Sequence, residues 1–305
     1  MNHLTAPVVL IVFNQPDSTK RVFNAVAAAR PRQLFIIADA PRAGRPDEAE
    51  RCKEAMRVTS AVNWDCKVET NLASTNMGPG PRIISGLDWV FSQVEEAIIL
   101  EHDCLPHSSF FPFCTELLER YRNKSQIGFI TGFNPVRKSF PYPFSYYFSP
   151  AGNLWGWATW ARLWREYDGT LGSWPEVKET GMLRNVFPKR RMRDFWSQTF
   201  DAMHRGVGPS TWDYQLLYTC WVQNCLGIIP SKNLVEYIGF GPQAENTKTA
   251  DPWLTSHARE VHFPLVHPPA INAWPSHAVE LQDRFFGRSL KYRVQRRIRQ
   301  FCKKK

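Results

Sequence analysis

The amino-acid sequence predicts an α/β fold with a mostly parallel central sheet and helices on both faces. Three observations predict it. Short runs of β-branched and other apolar residues recur through the first hundred positions, segments of helical pattern separate them, and carboxylates stand directly after two of the runs. Strands buried on both faces read as unbroken apolar runs, and strands that alternate with helices build parallel sheets. Such sheets bind ligands beyond the carboxyl ends of their strands.

In chain order, residues 7–13 (PVVLIVF) form the first strand, ended by Asn14, Gln15 and Pro16, and Ser18 is placed to cap a helix over 18–29. Residues 34–38 (LFIIA) form a second buried strand that stops at Asp39, with Pro41 and Gly44 to turn the chain. A helix over 48–60, a short strand over 67–71, and a Gly78-Pro79-Gly80-Pro81 loop feeding a helix over 82–94 follow. Residues 97–100 (AIIL) form the next buried strand, and Glu101, His102 and Asp103 lie at its end. Asp39 and the 101–103 cluster fall on the same edge of such a sheet, so the pattern predicts one shared cleft.

The 305 residues are 43% hydrophobic and 22% charged, ordinary globular values that exclude disordered and collagen-like classes. The length admits one large domain with extensions or two small ones. Twelve tryptophans offer flat apolar faces with a polar edge, suited to stacking on sugars or bases or to a Trp-rich core. The net charge of +10 favours an anionic partner. It is densest over 285–305, where Leu290, Val294, Ile298 and Phe301 fall on one helical face among arginines and lysines. That pattern fits a basic amphipathic helix on an anionic membrane surface or a solvated end of the fold. The seven cysteines form no C-x-x-C pair or zinc spacing, and read as reduced structural thiols. The first residues show no basic n-region or cleavage site, so a cytoplasmic protein is expected.

Carboxylates just after a buried strand can hold a divalent cation with few protein ligands, leaving the phosphate oxygens of a nucleotide sugar to complete its shell. Glu101-His102-Asp103 fits that need; a solvated acidic turn fits it too. The fuller string LEHDCLPHSSFFPFCTELLERYR is more specific. It resembles the signature of fold-type-A (GT-A) glycosyltransferases, in particular the relatives of N-acetylglucosaminyltransferase I and bacterial haemolytic-protein-like sugar transferases. There an acidic triplet precedes a short linker and an aromatic pair opening a helix, here Phe110 and Phe111; His102 stands where the family often has a second Asp.

The resemblance runs over 7–268 and implies a nucleotide-diphospho-sugar transferase domain there, with a C-terminal extension over 269–305. It implies a divalent metal, Mn2+ or Mg2+, on Asp103, and a nucleotide-sugar donor, UDP-linked in preference to GDP-linked. Phe13 and Asn14 would lie in the nucleotide loop, Asp39 at the base or ribose, and Asn76, Gly78 and Arg82 along the donor's border beside Glu101 and His102. SPAGNLWGWATWARLWREY resembles the loop over the donor sugar, matching at Gly152, Gly156 and Trp157. Trp155 and Trp157 are read towards the site; Trp160 and Trp164, four apart, as a buried helical stripe. Asp213, in STWDY, resembles the general base of inverting members, or else N-caps a helix over 214–224. In PSKNLVEYIGFGPQAENT, which resembles an Asn-Leu-Val and Gly-Phe-Gly run of the bacterial relatives, Asn246 and Thr247 stand where a Thr- or His-containing loop is expected. A late metal-binding histidine has two candidates, His262 and His267, which fit packing against neighbouring prolines equally well.

A Rossmann oxidoreductase would place G-x-G-x-x-G after the first strand, where NQPDS stands, and no P-loop motif is present. No nucleic-acid-binding signature accompanies the positive charge, so no nucleic-acid partner is expected. The sequence therefore predicts transfer of a sugar to a hydroxyl of a surface glycan or lipid-linked acceptor. The competing reading is a non-catalytic nucleotide-sugar or glycan-binding protein of the same fold, favoured by His102.

Overall fold

The computed structural model describes residues 4–134, 143–240 and 256–272. Strand β1 (Val8–Val12) leads into helix α1 (Pro16–Ala29), β2 (Gln33–Ala38) into α2 (Pro46–Thr59), and β3 (Lys67–Leu72) into α3 (Pro79–Phe91). There follow β4 (Glu96–Glu101), β5 (Cys104–Pro106), α4 (Phe110–Tyr121), β6 (Ile127–Thr131), β7 (Tyr146–Ser149) and β8 (Trp157–Trp160). A helical stretch comprises α5 (Ala161–Trp164), α6 (Trp174–Glu179), α7 (Leu183–Val186), α8 (Arg190–His204) and α9 (Asp213–Val222), before β9 (Leu226–Pro230) and β10 (Val235–Tyr237).

Eight strands form one mixed sheet in the order β3-β2-β1-β4-β8-β6-β9-β7, and β10 pairs with β5 in a small second sheet. The first four run parallel, with β1 between β2 and β4. β8 runs antiparallel to both β4 and β6, β9 is parallel to β6, and β7 closes the far edge antiparallel. Successive residues of a strand point to opposite faces. Val8, Leu10, Val12, Ile36, Ile98 and Leu100 therefore pack with Val22, Phe23 and Val26 of α1 and Leu117 of α4. Val9, Ile11, Phe35, Ile37 and Ile99 pack with Leu87 and Val90 of α3, Phe200 of α8 and Leu216 of α9. Each such side chain contributes about 1.5–3 kcal/mol by leaving water. Both faces of the sheet are covered by helices, as the unbroken apolar runs predict.

Helices α1 and α3 start earlier than the sequence reading places them. α1 begins at Pro16 rather than behind a Ser18 cap; the Ser18 and Thr19 hydroxyls instead donate back to the Gln15 carbonyl, at 3.2 and 2.7 Å. α3 begins at Pro79, so Pro79-Gly80-Pro81 is its first turn and not a loop. Proline is at ease there because first-turn N–H groups have no helical partner to lose. Gly86 sets how closely α3 lies on β2, since a Cβ at 86 would stand 2.6 Å from Ile37 Cγ2.

Trp160 and Trp164 are buried, as expected, but not on one helix: Trp160 ends β8 and Trp164 ends α5. Their indole N–H groups donate to the Leu118 carbonyl and to Asp88 Oδ1. The six described cysteines are free thiols. No helix among the described residues is long and apolar enough to cross a membrane. The basic segment over 285–305, Asn246, Thr247 and Cys302 lie outside the described residues.

Candidate active site

Because β1, β2 and β4 are parallel, the residues that follow them share one edge of the sheet: Phe13 and Asn14, Asp39, and Glu101 with His102 and Asp103. The structure divides them into two bracing clusters and one acidic cluster.

The first brace joins Asp39 to the start of α3. Its carboxylate accepts from the N–H groups of Met77 (3.0 Å) and Gly78 (2.9 Å) and from Asn76 Nδ2 (3.1 Å), and Asn76 also donates to the Ala40 carbonyl at 2.7 Å. Gly78 sits at φ +79°, a conformation that favours glycine. Arg82 is buried and donates to the Ala38 carbonyl, the Asn71 carbonyl and Oδ1, and Ser85 Oγ. Burial lowers the Arg82 pKa, with Asp39 opposing. These four residues thus tie the ends of β2 and β3 to α3, and all three guanidinium nitrogens of Arg82 are engaged by protein acceptors.

The second brace stands behind β1. Asn14 is buried and donates through Nδ2 to Glu48 Oε2 at 3.1 Å, while its Oδ1 is buried without a partner. Hydrogen bonds from Arg42 pull the Glu48 carboxyl down to about 2 against the opposing effect of burial. The Arg42 guanidinium lies over the Phe13 ring, 5.7 Å from its centroid.

The acidic cluster lies beyond β4. The His102 N–H donates to the Ile11 carbonyl at 2.9 Å, and its ring Nε2 is buried without a hydrogen-bond partner. Glu101 is half-buried, and its carboxyl is held well above the usual range by loss of solvent first, then by the negative charges of Asp103 and Asp213. Asp213 is the first residue of α9, with Trp212 at the cap position, so it does not cap that helix. A carboxylate there meets the positive end of the helix. Asp213 Oδ1 accepts from the Thr211 hydroxyl and, at 3.0 Å, from the Tyr214 N–H. Burial raises the Asp213 pKa and these bonds oppose the rise. Segments more than a hundred residues apart thereby feel one another's charge. Among the described residues, no three His, Cys, Asp or Glu side chains form a metal-binding group by themselves.

Trp157 requires a correction. Its indole is 1% exposed, held in β8 between Ile99 and Thr131 and stacked on Trp212, with centroids 5.2 Å apart. An indole at the centre of the sheet has no face to offer a sugar. Gly156, at φ +60°, accepts from the Gly132 N–H and packs so closely on Val235 that a Cβ would stand 2.6 Å from its Cγ2. Gly152 packs likewise against Phe129. Trp155 is half-exposed and stacks on Tyr237 at 4.5 Å and 18°. His262 is exposed, and His267 bonds Tyr146 Oη at 2.9 Å and Glu116 at 3.2 Å.

Sequence reasoning missed Tyr237 and Gly239. The Ile238 N–H donates to the Asp103 carbonyl at 2.8 Å, and a Cβ at 239 would stand 2.4 Å from Asp103 Oδ2. The one signal in the sequence was the Gly239-Phe240-Gly241 run.

In class, then, the chain is an α/β protein whose parallel strands end in a carboxylate-lined site. No protein-family model and no curated protein matches its sequence. Among solved structures it is similar to a mannosyltransferase from Pyrobaculum calidifontis in complex with GDP-Man and Mn2+, at 12% identity over 73% of this chain and 74% of that one, with a TM-score of 0.37. It is also similar to a UDP-glucose pyrophosphorylase complexed with UDP-glucose, at 8% identity over 53% of this chain and 78% of that one, with a TM-score of 0.31. Overlaps this loose carry no argument about activity.

Proposed function

We propose that the protein is a metal-dependent GT-A glycosyltransferase that moves a sugar from a nucleoside diphosphate sugar, UDP-linked in preference to GDP-linked, to a hydroxyl of a bacterial surface glycan or lipid-linked acceptor, with inversion. The observation that carries this reading is the shared electrostatic environment of Glu101, Asp103 and Asp213 at the carboxyl edge of the parallel strands.

A divalent cation fits these residues. Loss of solvent first, and then the charges of Asp103 and Asp213, raise the Glu101 pKa, and the carboxylate oxygens gathered there are of the kind that suits Mn2+ or Mg2+. Asp103 would hold the ion with Glu101 beside it, and the donor's diphosphate would supply further oxygens. When bound, the ion stabilises the negative charge that builds on the departing diphosphate. Asp213 acts on the acceptor. As the acceptor hydroxyl oxygen bonds to the anomeric carbon, Asp213 takes its proton, and the bond from that carbon to the phosphate oxygen breaks with its electron pair leaving on the nucleoside diphosphate. Burial moves Asp213 upward from its ordinary value, which makes it a stronger base, and a general base so positioned contributes about 10²–10⁴-fold.

In this reading residues 1–268 are the catalytic domain and the basic helix of the 269–305 extension rests on the anionic inner face of the membrane, making the protein cytoplasmic and peripheral. The second reading, a nucleotide-sugar or glycan-binding protein without turnover, is favoured by His102 in the middle of the acidic triplet. Calorimetric titration with UDP, GDP and their sugars, with and without Mn2+, tests the proposal beside Asp103→Ala. Metal-dependent micromolar binding that the variant loses is expected; donor binding without sugar transfer leaves the second reading, and absence of binding overturns the transferase and leaves the glycan-binding form of the second reading.

A further inference from the structure

We propose that Trp155, Tyr237 and Phe240 form a platform for a pyranose ring beside Asp103, and that Gly239 is the residue that lets platform and carboxylate meet. The inference deepens the proposed function and rests on it in one respect, that the acidic site handles a sugar.

The three rings are ordered by Tyr237. Trp155 stacks on it at 4.5 Å and 18°, and Phe240 meets it edge-on at 4.8 Å and 88°. Phe133 supports Trp155 at 4.7 Å and 65°. Tyr237 and Phe133 are buried, whereas Trp155 and Phe240 keep part of their surface in solvent. The core aromatics differ: Trp157, Trp160, Trp174 and Trp196 are all closed off. Half-exposed aromatic rings backed by buried ones give a rigid apolar surface with a polar edge, which matches the apolar face and hydroxyl rim of a pyranose.

The position of the platform follows from register. In the β5–β10 pair Tyr237 lies opposite Cys104, the residue after Asp103. The chain then turns with the Ile238 N–H on the Asp103 carbonyl, and the Tyr237 hydroxyl reaches the Gly239 carbonyl at 3.4 Å. A Cβ at 239 would stand 2.4 Å from Asp103 Oδ2 and 2.7 Å from Tyr237 Oη. The bare Gly239 backbone therefore packs directly against both the Asp103 carboxylate and the Tyr237 hydroxyl, and a side chain there would push the platform away from the carboxylate. A ring seated on the partly exposed faces of Trp155 and Phe240 arrives as the donor's sugar or as a ring of the acceptor glycan; the recognised chemistry is the same.

The test titrates wild type, Trp155→Ala and Phe240→Ala with UDP-glucose, GDP-mannose, UDP and GDP, and probes the same proteins on an array of immobilised oligosaccharides. A donor-sugar platform predicts that each variant loses about three- to tenfold in affinity for a sugar nucleotide while binding of the bare nucleotide is unchanged. An acceptor platform predicts the same loss on the array and unchanged sugar-nucleotide affinity. Trp155→Phe, which keeps a flat ring, recovers most of the loss, an outcome that a merely misfolded Trp155→Ala would not share with unchanged nucleotide binding. The platform is overturned if wild type and variants bind every sugar-bearing probe alike, or if wild type binds none. Loss of nucleotide binding in wild type with array binding that depends on Trp155 would sink the transferase reading and leave the platform standing.

Discussion

Trp212 lies on Trp157 with ring centroids 5.2 Å apart and planes 26° from parallel. Because Asp213 is the next residue, the stack anchors a carboxylate of the candidate site to a central strand of the sheet. The Tyr167 hydroxyl adds a second anchor by donating to the Trp212 carbonyl at 3.0 Å.

Trp157→Ala removes an indole that is 1% exposed. The expected cost is about 3–5 kcal/mol of folding free energy, read from urea unfolding midpoints. Trp212→Ala costs less, and lowers turnover with little change in donor affinity because it frees Asp213 to wander.

Asp213→Asn keeps the shape of the side chain and removes its basicity. Turnover should fall by about 10²–10⁴-fold with donor affinity retained. A variant that turns over as fast as wild type in a steady-state assay removes Asp213 from the chemistry.

Glu101 carries a pH signature. Its folded pKa is raised from 4.5 to about 8 by loss of solvent and then by the charges of Asp103 and Asp213. The folded protein therefore holds a proton that the unfolded chain releases, and metal-free stability falls as pH rises from about 4.5 through about 8. In EDTA, Glu101→Gln should melt above wild type at pH 8, with the difference closing towards pH 4.5. Adding Mn2+ should raise the wild-type midpoint and shrink the gap.

Glu48 has the opposite sign. Hydrogen bonds from Arg42 lower its pKa from 4.5 to about 2. Its contribution is present above 4.5 and is lost as pH falls towards 2. Glu48→Gln should thus be less stable than wild type at pH 7, and the two unfolding midpoints should converge near pH 2.

The parallel half of the sheet was legible because β1, β2 and β4 are buried on both faces, and only unbroken runs such as VVLIV can fill such strands. The same runs put Asp39 and Glu101 at strand ends. What Asp39 does there was not legible, because beside the Asn76 side chain its partners are backbone N–H groups at 77 and 78, which leave no trace in side-chain type. Trp157 misled because β8 is an antiparallel strand inserted between β4 and β6, and neither neighbour adjoins it in sequence. Gly239 was beyond reach for a related reason: its tight fit depends on the pairing of Tyr237 with Cys104, a contact set by the fold as a whole.

The small β5–β10 sheet also dictates when the edge beside Asp103 is finished. All eight strands of the large sheet have been made once Pro230 is in place, yet β10 starts only at Val235. A chain emerging from the ribosome folds its N-terminal parts first, at roughly 5–20 residues per second. Asp103 therefore waits on the order of ten seconds for the segment that fits against it. Until β10 docks, Asp103 lacks both the Ile238 N–H on its carbonyl and the Gly239 backbone against its carboxylate.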